Sequence, residues 1–229
     1  VSIKNAFGTT TIPAKPKRIV CIGWGSQDAA IALGVIPVGM SKGTFGDVDG
    51  FYPWETTAIG DAEKPQLLDA ETVPFEAIAA LHPDVILAVQ SGIEKSDYDK
   101  LSAIAPTVAY PGQPWLTPWP QQTLLVGEAL GKAAQAQQLV DQINASIAAD
   151  AKANPELAGK TFAYGASNDP GTYNFYTGAD PRVQLVEQLG LKLSPKVTAL
   201  VTDPNAFYTQ VSMERLDAVD AQIWIAYYD

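Results

Sequence analysis

The stretch Val73-Pro74-Phe75-Glu76-Ala77-Ile78-Ala79-Ala80-Leu81-His82-Pro83-Asp84-Val85-Ile86-Leu87-Ala88-Val89 carries two structural signals back to back. Phe75, Ile78 and Leu81 recur at helical spacing, and His82-Pro83 stops that helix. Val85 to Val89 is a short apolar run rich in β-branched residues, the mark of a buried strand. The same pattern returns without a gap over Val211-Ser212-Met213-Glu214-Arg215-Leu216 through Tyr227, where Glu214 falls on Glu76, Leu216 on Ile78, Ala218 on Ala80 and Ala226 on Ala88. A helix-then-strand unit repeated in register far along the chain predicts two related lobes.

Working outward, Ile19 to Ile22 is an apolar run that breaks at Gly23-Trp24-Gly25-Ser26 and leads into a helix from Gln27 to Leu33, closed by Gly34. A second strand-turn-helix unit ends in the same way, at Leu189-Gly190. Val35 to Met40 reads as a strand, Ser41 to Asp61 as a long aperiodic loop, Asp97 to Ile104 as a helix and Thr107 to Tyr110 as a strand. Such alternation is the pattern of a parallel α/β sheet. After the Pro/Trp-rich connection 111–120, the segment Gln121 to Ala153 carries Leu125, Ala129, Ala133, Ala136, Val140, Ile143 and Ile147 without an internal Pro, and Asn154-Pro155 stops it. It reads as one helix about 50 Å long, more than one small lobe needs. Beyond it come a strand from Lys160 to Tyr164, a loop from Gly165 to Gly178 and a helix from Pro181 to Leu189. The expected fold is α/β: two Rossmann-like lobes with parallel-type sheets joined by one long α-helix, with an N-terminal lobe at 1–117, a connecting helix at 118–154 and a C-terminal lobe at 155–229.

Composition narrows the function. The 229 residues are 47% hydrophobic and 17% charged, with a net charge of −10 and no basic run, so the electrostatic footprint of a nucleic-acid binder is missing. The single Cys, Cys21, sits in the apolar strand and reads as a packed residue. No stretch approaches a membrane span, and nothing at the first residues resembles a leader, although a removed leader leaves no trace. Gly23-Trp24-Gly25 lacks the third Gly of a dinucleotide turn, and Gly165-Ala166-Ser167-Asn168-Asp169 misses the nucleophile elbow at its last position. His82 is the only imidazole, precedes that serine in the chain, and lies away from the strand ends, where it reads as solvated or capping. One His and one Cys are too few for a transition-metal site built from side chains. Two lobes, many aromatics and no catalytic set point to binding.

In parallel α/β sheets ligands bind beyond the carboxyl ends of the strands. Those positions hold Trp24; Lys42, Phe45, Phe51, Tyr52 and Trp54; Gln90 and Ser91; and Tyr110 and Trp115. The second lobe contributes Tyr164 and Ser167; Tyr173, Phe175, Tyr176 and Arg182; Phe207 and Tyr208; and Tyr227 and Tyr228. Such a concentration of aromatic residues exceeds what packing alone requires. Trp24, Trp54, Ser91, Tyr110, Trp115, Tyr164, Tyr173, Phe175, Arg182, Tyr208 and Tyr227 are the candidate ligand-binding residues.

The chain also resembles the substrate-binding proteins of iron-siderophore ABC importers, in the group related to hydroxamate-siderophore and vitamin B12 binders. The resemblance rests on Thr11-Ile12-Pro13 with Pro16-Lys17-Arg18-Ile19-Val20, on Ala32-Leu33-Gly34-Val35-Ile36-Pro37-Val38-Gly39, on Phe75 to Leu81 followed by Pro83 to Ala88, on Ile104-Ala105-Pro106-Thr107-Val108 and on Glu128-Ala129-Leu130-Gly131. It implies a ligand cleft between the lobes, an extracytoplasmic location, periplasmic or lipid-anchored after signal-peptide removal, and a monomer working with an ABC permease dimer in the membrane. It also implies one permease-docking glutamate per lobe, at the positions of Glu76 and Glu214. The cargo implied is a ferric siderophore carrying its own iron, with no further cofactor and no metal bound by the protein. Lobe two stops short of the family pattern, so its last segment is expected to be missing. With only three Arg in the chain, and Lys42 and Lys95 as helpers to Arg182, a tris-hydroxamate suits the charge better than a trianionic tris-catecholate. Haem, cobalamin and a siderophore-opening hydrolase remain the alternatives.

Overall fold

The structure, a computed structural model, describes residues 1–44, 49–167 and 169–227. Phe45, Asn168 and Tyr228 lie outside the described residues, as does the side chain of Tyr227. The chain divides into two compact units, Val1–Val140 and Asp141–Asp229.

Unit one opens with an antiparallel hairpin of β1 (Ser2–Asn5) and β2 (Gly8–Thr11). There follow β3 (Ile19–Cys21), α1 (Ser26–Ala32), β4 (Gly39–Ser41), α2 (Pro53–Ile59), β5 (Gln66–Leu68), α3 (Phe75–Ala80), β6 (Val85–Ala88), α4 (Lys95–Ile104), β7 (Thr107–Ala109), α5 (Trp119–Ala129) and α6 (Ala133–Ala153). The five central strands form a wholly parallel sheet in the order β5-β4-β3-β6-β7. Both faces are covered, which is why its strands read as continuous apolar runs and not as alternating ones. Ile19 and Cys21 enter one core with Met40, Leu87, Val126 and Ala136, while Val20 and Ile22 enter the other with Ile78, Ile86 and Leu101. Each such fully buried aliphatic side chain contributes about 1.5–3 kcal/mol. Burial also pushes the Cys21 thiol far up, so it is packing and not a nucleophile. The chain winds outward from β3 to β5, returns to β6 beside β3, and winds the other way to β7. The carboxyl ends of β3 and β6 therefore flank the switch point, where a crevice opens in an open α/β sheet.

Unit two comprises a short 3-10 helix (Pro155–Leu157), β8 (Thr161–Ala166), β9 (Thr172–Tyr176), α7 (Pro181–Gln188), β10 (Lys192–Leu193), α8 (Pro195–Leu200), β11 (Tyr208–Ser212), a second 3-10 helix (Met213–Ala218) and β12 (Ile223–Tyr227). β8 pairs in parallel with β10 and β12 but antiparallel with β9, and β9 pairs antiparallel with β11.

Four expectations change at the level of elements. The single helix from Gln121 to Ala153 is two helices. α5 ends in a Schellman motif, with Gly131 in the left-handed region (φ 66°), the Lys132 N–H donating to the Gly127 carbonyl (2.7 Å) and the Gly131 N–H to Glu128 (3.2 Å). The division between the units falls within α6, after Val140. The loop expected over Ser41 to Asp61 contains α2, started by Pro53 at its first position and by Glu55, whose carboxylate accepts the Tyr52 N–H (2.8 Å). The loop expected over Gly165 to Gly178 contains β9, whose Thr-Tyr-Asn-Phe-Tyr sequence suits a strand; its pairing with β8 and β11 makes the second sheet mixed. The second copy of the repeated unit keeps its strand, β12, but its helix is 3-10, capped by Ser212 Oγ accepting the Glu214 N–H (3.3 Å).

Candidate functional site

In unit one the chain leaves β3 through Gly23, at φ 81°. A Cβ there would lie 2.3 Å from the Gln90 carbonyl oxygen, so only glycine lets the β3 and β6 ends approach this closely. Trp24 follows, its N–H donating to that carbonyl (2.8 Å). Its ring packs on Trp115, with centroids 4.5 Å apart and planes at 42°. Trp24 stays 40% exposed, so the pair offers an aromatic face to solvent. Trp115 lies over Gly92, where a Cβ would meet the indole nitrogen at 2.4 Å. Ser91 is buried beneath, its hydroxyl donating to the Ala88 carbonyl (2.9 Å). Gly23, Phe75, Ser91, Gly92 and Trp115 line a cavity of about 330 Å³ whose rim carries Asp69. Backbone N–H groups of Thr72 and Glu71 hold the Asp69 carboxyl below the usual range.

A second aromatic surface adjoins α1 and α2. Tyr52 and Trp54 stack nearly parallel, at 4.6 Å and 10°, and Trp54 is 59% exposed. The Trp54 indole N–H donates to Asp28 (2.9 Å) and the Gln27 amide to the buried Glu55 (3.2 Å). Burial raises both carboxyls above the usual range; the hydrogen bond from Trp54 opposes this at Asp28, and those from Tyr52 and Gln27 oppose it at Glu55. Tyr110 is buried, with its hydroxyl donating to the Ile93 carbonyl (3.0 Å) and its pKa raised by that burial and by Glu94.

In unit two Arg182 sits at the start of α7. It grips the buried Asp180 with two hydrogen bonds, Nε to Oδ1 at 2.9 Å and Nη2 to Oδ2 at 2.6 Å, and its guanidinium lies 3.6 Å from the centroid of the Tyr176 ring. Asp180 also caps the helix by accepting the Arg182 N–H (2.7 Å). Tyr164 packs edge-on to Tyr176. Phe175 is fully buried, tilted against Tyr173 and Trp224. Tyr208 is 40% exposed beside Phe207. Tyr227 occupies the last rung of the β12–β8 ladder, opposite Ala166.

Glu76 is exposed in the first turn of α3, and Glu214 is exposed at the start of the second 3-10 helix. His82 is half-buried at positive φ (45°), and its carbonyl accepts from Arg18. Of the candidate residues, then, Trp24, Ser91 and Trp115 gather at the switch point, with Trp54 on the neighbouring α2. Gln27, Asp28 and Glu55, which hydrogen-bond around Tyr52 and Trp54, are not among the sequence candidates; Pro53 and Glu55 at the start of a helix are the available signal.

A family model described as periplasmic binding protein matches residues 19–228, and the chain belongs to that family. It is 31% identical over 227 residues to the probable siderophore-binding lipoprotein YfiY of Bacillus subtilis (strain 168), covering 97% of this chain and 67% of that protein. It is 28% identical over 235 residues to the Fe(3+) dicitrate-binding periplasmic protein FecB of Escherichia coli (strain K12), covering 99% of this chain and 72% of FecB. Among solved structures, PiaA of Streptococcus pneumoniae TIGR4 in complex with ferrichrome superposes with a TM-score of 0.89 at 35% identity, over 100% of this chain and 79% of PiaA. Staphylococcus aureus SirA complexed with staphyloferrin B gives 0.81 at 27%, over 100% of this chain and 77% of SirA. The chain thus spans two thirds to four fifths of the length of these relatives.

Proposed function

We propose that this chain is an extracytoplasmic substrate-binding protein that captures a ferric siderophore of the hydroxamate type and delivers it to an ABC importer. The observation that carries the reading is the match of the whole chain to PiaA solved with ferrichrome. Relatives named as a siderophore-binding lipoprotein and an iron-citrate-binding periplasmic protein support both the cargo and the location. The work is binding and not catalysis, and the iron arrives and leaves within its chelate. Trp24, Trp115, Trp54, Tyr208 and Arg182 are the proposed ligand contacts; Ser91, Tyr110, Tyr164, Tyr173 and Phe175 are buried, and they and Tyr227 are retained from their strand-end positions. Glu76 and Glu214 are the proposed contacts to a permease dimer, reached by a monomeric binding protein.

The charge inventory favours the hydroxamate. Arg182 is matched by Asp180, Lys95 by Asp99 at 2.6 Å, and the charge of Lys42 helps to lower the Asp69 carboxyl. Candidate cations already held by carboxylates are poorly placed to gather three further negative charges, whereas tryptophan faces suit an uncharged chelate. Titration with ferric ferrichrome should quench tryptophan fluorescence at submicromolar affinity, with a ferric tris-catecholate bound at least tenfold more weakly. The reverse order would overturn the hydroxamate assignment. Binding of haem or cobalamin in place of either chelate, or consumption of the chelate over time, would overturn the siderophore-carrier reading as a whole.

A further inference from the structure

Gln90, buried two residues beyond β6, touches both backbone segments that carry the tryptophan pair. Its carbonyl accepts the Trp24 N–H at 2.8 Å. Its side-chain amide bridges the other segment, Nε2 donating to the Trp115 carbonyl at 2.7 Å and Oε1 accepting the Thr117 N–H at 2.9 Å. At the first of those anchor points Trp115 stands at φ 63°, a conformation that bulky residues rarely adopt and that persists only where the surroundings impose it. The Ser91 carbonyl adds one further bond, accepting the Trp115 N–H at 3.2 Å. From the far side Gln122 of α5 donates to the Thr117 carbonyl at 2.6 Å. One partner of the Gln90 amide only accepts and the other only donates, so the amide has one orientation, and a carboxylate of the same shape could satisfy only one of the two.

We propose that Gln90 is a positioning residue that sets the mutual geometry of Trp24 and Trp115 and, through it, the affinity for the chelate; the affinity half of this rests on the siderophore reading above. With the bridge gone, the Trp115 segment relaxes from its left-handed backbone and the 4.5 Å ring contact opens.

Two readouts test this. Coupled indoles this close give an exciton couplet in far-ultraviolet circular dichroism, which the W24F and W115F variants identify in the unliganded protein. In Gln90→Ala the couplet should be lost, and ferric ferrichrome should bind at least tenfold more weakly. In Gln90→Glu the couplet should be lost at neutral pH and return when acid protonates the new carboxyl, since that restores a donor toward the Trp115 carbonyl. This rescue is one that a merely space-filling role would not produce, and it keeps the test decisive if the alanine variant fails to fold. A couplet that persists in both variants overturns the proposal, as does loss of the couplet with ferrichrome affinity unchanged within twofold. If the wild type binds no ferrichrome, the chelate reading fails by itself, and the couplet and its acid rescue still decide whether Gln90 holds the pair.

Discussion

Replacing Gly127 by alanine tests the close approach of α5 and α6. A Cβ at position 127 would stand 2.2 Å from the Ala136 Cβ, against an ordinary carbon contact of about 3.5–4.0 Å, so the helices must part by roughly 1.5 Å. Two effects compete. Alanine within a helix gains about 1 kcal/mol over glycine, while overpacking a filled interior costs about 1–3 kcal/mol. Here the clash wins, because both positions are buried and because the Gly127 carbonyl also accepts the Lys132 N–H that closes the end of α5. The net loss should be up to about 2 kcal/mol, lowering the melting temperature by up to about 8 °C for a chain of this size. Thermal and urea unfolding would read it, with G127A/A136G as the compensating pair. Shifting the methyl from one helix to the other should make the double variant more stable than the sum of its parts by about 1 kcal/mol. A G127A protein that melts higher than wild type, or a double variant that is merely additive, would refute the contact.

Asp28 and Glu55 are both raised above the usual carboxylate range by burial, so in the intermediate pH window the fold holds more protons than the unfolded chain. Their stabilisation is complete below the unfolded pKa and lost as pH rises through the folded pKa. Urea midpoints measured from acid to neutral pH should therefore fall less steeply in D28N/E55Q than in wild type, and equal slopes would contradict the burial argument. At the surface, E76A/E214A should leave chelate affinity within twofold and impair uptake by a reconstituted importer, because rim charges orient a partner more than they pack. Normal uptake, or lost ligand binding, would remove the docking role.

The architecture was legible where the sequence pattern had one meaning. Ile19 to Gly34 could only be strand, tight turn and capped helix, and the in-register Glu76 and Glu214 repeat announced a second α/β unit. Three readings failed for identifiable reasons. Gly131 sits inside an unbroken apolar period, and only its left-handed backbone, invisible in the sequence, ends α5 there. Tyr52 and Trp54 read as ligand groups in a loop, although Pro53 and Glu55 between and beside them encode a helix start. Likewise the rings of Tyr173 and Phe175 read as ligand groups, while the Thr-Tyr-Asn-Phe-Tyr sequence equally suits a strand. At the site, Trp24 and Ser91 followed from their places after strands. Gln90 was noticed for the same reason, yet its bridging of two chain segments is a three-dimensional fact that no local pattern encodes.

The pairing scheme of β8 has a consequence for the order of events on a growing chain. The unit-one sheet is complete once Ala109 has been made, its widest gap being the one from Ile19 on β3 to Val85 on β6. β8 makes a similar demand later in the chain. Its ladder to β12 begins where Thr161 and Gln222 exchange bonds across 61 residues, from Thr161 N–H to Oε1 (3.1 Å) and from the Gln222 N–H to Oγ1 (3.2 Å). The edge of β8 that receives β12 must therefore wait through the synthesis of α7, α8 and β11, and pairing over such a separation is intrinsically slow. Trp224, carried on β12 and 5.5 Å from Phe175, reaches its aromatic neighbours only when that wait ends, so its emission is a clock for the docking of β12 on β8.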